Sequence, residues 1–229
     1  MAGLGIAAAG VTLRQGRPVA VPAALTFFAV MEALQFAGYR VIDQCGTPAN
    51  EAITYLSILH IVFQPLVINA FAMSLVAGGV RPGAQALVYG VCLLSAAVML
   101  LQLYPFAWAG SCRLDAPLCG EAVCTRTGTW HLAWDVPYNG LLSAVDAALG
   151  FSGGMPTYFL AVFLLPVFYG AWRFAALHFL IGPLLAMQLT SDPNEIPAIW
   201  CLFSIAIALI ALSPWLWRRF EVRQDTTSA

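Results

Sequence analysis

Long apolar runs alternate with short polar breaks along almost the whole chain. Such a pattern predicts a series of helices that bury apolar side chains all round, not the one-sided faces of soluble helices. The runs Pro18 to Tyr39, Ile53 to Ala77, Ala86 to Trp108, Met155 to Trp172, Phe174 to Leu189 and Ile196 to Trp217 approach or exceed the length needed to cross a bilayer. That length is about 20 residues for roughly 30 Å of hydrocarbon. A seventh run, Ala2 to Leu13, reaches only about 18 Å as a helix; it reads as a half-span or as the remainder of a segment starting upstream.

One stretch departs from the pattern. Between Trp130 and Gly150, His131, Asp135, Asn139, Ser143 and Asp146 recur at spacings of four, four, four and three. On a helix they share one face, which predicts an amphipathic or re-entrant helix near 130–150. A crossing segment lining a wet cavity is the other reading.

Composition strengthens the membrane reading. Of 229 residues, 61% are hydrophobic and 9% charged, with a mean hydropathy of +0.82, too little polar surface to coat a soluble globule. The fold class expected is therefore all-α: one polytopic membrane helix bundle over residues 1–229, with about seven transmembrane segments and a Cys-containing outer loop at 109–129. Its partner is the lipid bilayer; nothing in the sequence names a protein partner. All ten basic residues are Arg, the formal net charge is -1 and no basic patch suits nucleic acid. Met1 to Leu13 lacks a basic n-region and does not read as a removable signal peptide.

Orientation follows from Arg and Cys together. With the N-terminus outside and 130–150 not crossing, Arg14, Arg17, Arg81, Arg173, Arg218, Arg219 and Arg223 face inward, and Arg40, Arg113 and Arg126 outward. An eight-span arrangement gives the same Arg count. It would, however, place Cys45, Cys112, Cys119 and Cys124 in a reducing cytosol, whereas seven spans put all four on the outer face, where one or two disulfides persist. Four cysteines allow three pairings, and the sequence does not choose among them. Cys92 and Cys201 fall within spans and read as small core residues.

Ionisable groups inside spans are expensive to bury and mark functional candidates. Glu32 lies seven residues before Tyr39, about 10 Å below the end of its helix, with Gln35 one turn on. His60 lies seven residues into the next, antiparallel helix, at matching depth, so the two are expected within hydrogen-bonding reach. Gln64 follows His60 by a turn, and Pro65 predicts a kink there. His131 and Asp135 approach the same outer face, and Asp192, Asn194 and Glu195 rim it. Glu32, Gln35, His60, Gln64, His131 and Asp135 are thus candidate ligand-binding residues. Glu32, His60, His131 and Asp135 are alternatively candidate ligands for a divalent metal such as zinc. The structural alternative is that these groups merely satisfy one another. His178, five residues after Arg173, reads as a hydrogen-bonded histidine near the inner face, apart from the outer cluster.

The stretches MEALQFAGYRVIDQCGTPANEAIT (31–54), LHIVFQPLVIN (59–69), Leu103 to Gly140 ending in WHLAWDVPYNG, and SDPNEIPAIW within Gly182 to Ile205 resemble a family of bacterial multi-pass membrane proteins of unknown function. The resemblance covers most of the chain, implies no catalytic residue, and departs from the family at the start, where members carry a Cys-Trp-Ser-type segment. It implies the inner membrane of a bacterium, in which the orientation read from Arg and Cys puts the N-terminus in the periplasm and the C-terminus in the cytoplasm. A more distant similarity is to alkaline-ceramidase-like membrane hydrolases. Those hold zinc with two histidines one turn apart on a late helix; here Gly182 stands one turn after His178. Three functions stay open: binding, transport or sensing of a small molecule or ion through an outer polar cavity, a metal-dependent membrane hydrolase, and a non-catalytic accessory subunit.

Overall fold

The computed structural model describes residues 2–149, 155–202 and 204–223. Its helices are α1 (Ala2–Arg14), α2 (Ala20–Arg40), α3 (Pro48–Met73), α4 (Pro82–Gln102), α5 (Ser143–Leu149), α6 (Pro156–Phe168), α7 (Trp172–Leu189), α8 (Ile196–Leu202), α9 (Ser204–Leu212) and α10 (Pro214–Phe220). Four short strands join them: β1 (Val76–Ala77), β2 (Cys124–Thr127), β3 (Leu132–Asp135) and β4 (Val222–Arg223). Local chemistry sets several helix starts. Thr47 caps α3 by accepting from Asn50 N–H and Pro48 occupies the first turn; Ser213 caps α10 in the same way, ahead of Pro214.

Among the described residues four helices, α2, α3, α4 and α7, are long and apolar enough to cross a membrane; α8 with α9 and α10 add a fifth only if the bent pair counts as one span. The expectation of about seven full-length segments is therefore met only in part. Helix α1 is short, and the run Met155 to Trp172 ends as a helix at Phe168, because Gly170 takes a left-handed φ of +98° and turns the chain into α7. Helices α6 and α7 each contain a π-helical turn, at Leu160–Leu164 and Leu180–Leu184, just before Pro166 and around Pro183. Proline removes one backbone donor, and the wider turn is a local adjustment to that loss.

The stretch Trp130 to Gly150 is not the expected amphipathic helix. Leu132–Asp135 is a strand paired antiparallel to Cys124–Thr127, with Cys124 opposite Asp135, and only Ser143–Leu149 is helical. The spacing that looks helical in sequence is coincidental here, since Asp135 pairs with Arg126 and Asn194 while Asn139 donates to the Leu101 and Tyr104 carbonyls.

Tertiary contacts define two ends. At one, β1 pairs in parallel with β4, Arg17 stacks over the Trp217 ring at 4.1 Å, and Arg173 donates to the Arg219 carbonyl at 3.0 Å. The other end holds disulfides Cys45–Cys124 and Cys112–Cys119 and the β2–β3 hairpin. Both bridges fall among the four cysteines expected to form them, and Cys92 and Cys201 are free and buried.

Candidate ligand cavity

The hairpin end is a closed hydrogen-bond assembly. Asn50, buried at the start of α3, donates to the carbonyls of Val41 (2.7 Å) and Thr125 (2.8 Å) and accepts from Thr125 N–H, while the Thr54 and Thr125 hydroxyls meet at 2.7 Å. Arg126 forks between Asp135 (2.9 Å) and Asp192 (2.6 Å). Asn194 donates to Asp135 as well, at 2.6 Å. Burial opposes ionisation of Asp192, but the Arg126 guanidinium and the Asn194 N–H outweigh it and hold the carboxyl below its ordinary range. Arg126 is correspondingly held more basic, chiefly by its bond to Asp192.

Glu195 is fully buried in a cradle of donors: the N–H groups of Thr129, Trp130 and His131 and the Thr190 hydroxyl (2.5 Å). Burial raises its carboxyl, yet these donors together bring it below the usual glutamate range. Gly128 makes the cradle possible, since a Cβ there would lie 2.6 Å from the Glu195 carboxyl carbon.

The predicted site residues separate into different surroundings. His131 sits between Tyr39 and Gln35: the Tyr39 hydroxyl meets Nδ1 and Gln35 Oε1 lies 3.3 Å from Nε2. Gln35 passes its amide on to the Ala198 carbonyl at 3.1 Å. The chain is satisfied by a neutral imidazole that donates from Nε2, and burial holds His131 below its ordinary pKa against the opposing charge of Glu195. His60 does not meet Glu32. Its Nε2 bonds the Phe27 carbonyl at 2.8 Å and its ring stacks on Phe27. Glu32 Oε1 is buried without a hydrogen-bond partner, in a groove toward α1 and α9. His60 instead meets α2 at Phe27, five residues before Glu32, and the two side chains do not come together. Glu32, His60, His131 and Asp135 therefore do not form one cluster, and among the described residues no group of three or more His, Cys, Asp or Glu converges as a metal site.

Gln64 does reach a cavity. A partly open cavity of about 380 Å³ lies among α3, α6, α7, α8 and α9, with Pro117 and Leu118 of the disulfide-bonded loop at its rim. Gln64 Oε1 accepts from the Tyr158 hydroxyl at 2.6 Å, and its amide nitrogen lies 3.6 Å from Cys201 Sγ. Across the space, Trp200 Nε1–H donates to His178 Nε2 at 2.9 Å. An indole only donates, so His178 Nε2 carries the lone pair and a neutral ring keeps its proton on Nδ1. The imidazole is boxed by the rings of Phe163, Phe174 and Trp200. The expectation that His178 is hydrogen-bonded to a neighbour holds, and His178 stays apart from Glu32, His60, His131 and Asp135; it does share a cavity with Gln64.

Sequence reasoning missed Tyr158 and Trp200. Gly182 carries the one available signal: a Cβ there would come within 2.4 Å of Trp200 Nε1, so a glycine inside an apolar helix marks where an indole docks. Its place within the π-helical turn of α7 adds to that signal, as such turns recur at functional sites.

Among the described residues, fold and site together define a predominantly helical protein with four apolar helices of membrane-crossing length and a partly open, mostly apolar cavity holding a few fixed polar groups. Over residues 1–221 the chain matches a family of unknown function, DUF5765, and it belongs to that family. No curated protein and no solved structure matches it.

Proposed function

We propose that the chain is a multi-pass membrane protein that binds a small, largely apolar molecule in the cavity bounded by Gln64, Tyr158, His178 and Trp200. The observation that carries this reading is the cavity itself. Its volume falls within the roughly 300–1,000 Å³ of small-molecule pockets, and its walls are aliphatic and aromatic with a few polar groups at fixed positions. The Gln64–Tyr158 pair supplies a hydroxyl and an amide to orient a ligand's polar atom; Trp200 and Phe159 supply flat apolar surface. Transport and sensing both begin with such binding.

Two further features support placement in the cytoplasmic membrane of a bacterium, with the disulfide end periplasmic and the Arg-rich end cytoplasmic. Two disulfides suit an oxidising compartment. Arg17, Arg81, Arg173, Arg218 and Arg219 cluster toward the end where β1 meets β4, as expected of a cytoplasmic face. The hydrolase reading loses its support with the separation of its four proposed metal ligands.

The test is solvent extraction of the purified full chain followed by mass spectrometry, beside an Ile61→Trp variant that fills the cavity. A co-purifying apolar molecule present in the wild type and depleted in the variant is expected. Identical extracts from the two would overturn the reading.

A further inference from the structure

A second cavity, of about 410 Å³, lies beside the first as a groove between α1, α2 and α9. Its rim is exposed and apolar, with Leu4, Ile205 and Leu209 facing outward. Phe28 and Ser204 line both spaces, so one aromatic ring and one hydroxyl form the partition between groove and inner cavity. Phe28 and Glu32 are one helical turn apart on the same face of α2. Within the four long helices, Glu32 is the only carboxylate more than a turn from an end. Among the described residues no cationic side chain lines the groove, and the half-buried Glu32 keeps one oxygen, Oε1, buried without a hydrogen-bond partner. A carboxylate kept in apolar surroundings without a partner is costly unless something supplies the missing charge or donor.

We propose that the groove is a lateral portal from the bilayer, and that the ligand is a single-chain amphiphile with a protonated amine, held at Glu32 while its chain passes Phe28 and Ser204 into the inner cavity. This rests on the reading of the inner cavity as a binding site. Charge complementarity selects the head group: an ammonium gives the lone carboxylate both a countercharge and hydrogen-bond donors, whereas an alcohol gives only a donor and a fatty acid repels it. The exposed apolar rim selects the route, since a ligand dissolved in lipid reaches the groove without crossing water.

The experiment is native mass spectrometry of the full chain titrated at pH 7 with dodecylamine, dodecanol or dodecanoate. Dodecylamine is expected to bind at least about tenfold more tightly than dodecanol, the scale of a hydrogen bond to a charged group. Glu32→Gln should erase that preference. Leu209→Trp, which narrows the exposed rim while keeping Glu32, should weaken dodecylamine binding and stands in should Glu32→Gln fail to fold. Equal affinities for amine and alcohol, a preference that survives Glu32→Gln, or wild-type dodecylamine binding by Leu209→Trp would each overturn the portal. If dodecanol nonetheless binds and Ile61→Trp abolishes it, the inner cavity stands as a binding site without this portal. If none of the three probes binds the wild type, both inferences fall together.

Discussion

Glu195 shows how one side chain fastens an interface between elements. Its carboxylate gathers three backbone N–H groups from the turn between β2 and β3 and the Thr190 hydroxyl at the end of α7. In Glu195→Gln one acceptor oxygen becomes an NH₂ group facing donors. We expect a loss of about 2–3 kcal/mol, the scale of hydrogen bonds to a charged group, measured by thermal or denaturant unfolding of the purified protein. His131 gives a pH prediction. Its pKa in the folded protein lies below the unfolded value of about 6.5 because burial disfavours the imidazolium, opposed by the Glu195 charge. The unfolded chain therefore binds the proton first as pH falls. The contribution is intact above about 6.5 and lost as pH drops from there through the folded pKa. Melting curves from pH 7.5 to 5 should show wild type losing more stability than His131→Gln, and parallel curves would refute the assignment. Asp192 and Glu195 stay ionised well into acid, so their losses begin at lower pH than this window.

At the level of elements, the two disulfides close loops of very different length. Cys45–Cys124 spans 79 residues and ties the start of α3 to the hairpin, while Cys112–Cys119 spans seven within one loop. Loop-closure entropy alone makes the first worth about 4.5 kcal/mol and the second about 2.5 kcal/mol. Cys45→Ser should therefore lower the unfolding midpoint more than Cys112→Ser, and peptide mapping without reductant should recover those two pairs and no other. Helices α7 and α8 offer a second test. Gly182→Ala puts a methyl group against the Trp200 indole. Overpacking of this kind costs about 1–3 kcal/mol, and the displaced indole loses its bond to His178. A shifted tryptophan emission with a lowered unfolding midpoint is the expected result.

For the whole molecule, the pairing of β1 with β4 and the bridge from Cys45 to Cys124 fix which loops share an end. Reporter fusions after Arg81 and Arg219 should accordingly agree with each other, and a fusion after Gly120 should give the opposite signal. A cytoplasmic reporter active at Gly120 would invert the orientation proposed above.

The apolar runs determined the helices almost unaided, because a segment with no polar face has few ways to satisfy its backbone other than as a helix. Thus α2, α3 and α4 begin and end within a few residues of the runs that predict them. The even set of loop cysteines likewise foretold bridges, though their pairing needed the hairpin to bring Cys124 to Cys45. What only the tertiary structure decided was rotation and partnership. The sequence puts Glu32 and His60 on neighbouring helices, but the way each side chain faces depends on how α2 packs against α1, α3 and, from far along the chain, α9. That packing leaves Glu32 in the groove and His60 on Phe27. Asp135 appeared as a possible ligand for the same reason: its partners Arg126 and Asn194 come from separate segments, and only folding shows that they already occupy its oxygens. Helical periodicity misled over 130–150, where partners from α3 and the loop after α7 made a hairpin the better way to pair the backbone.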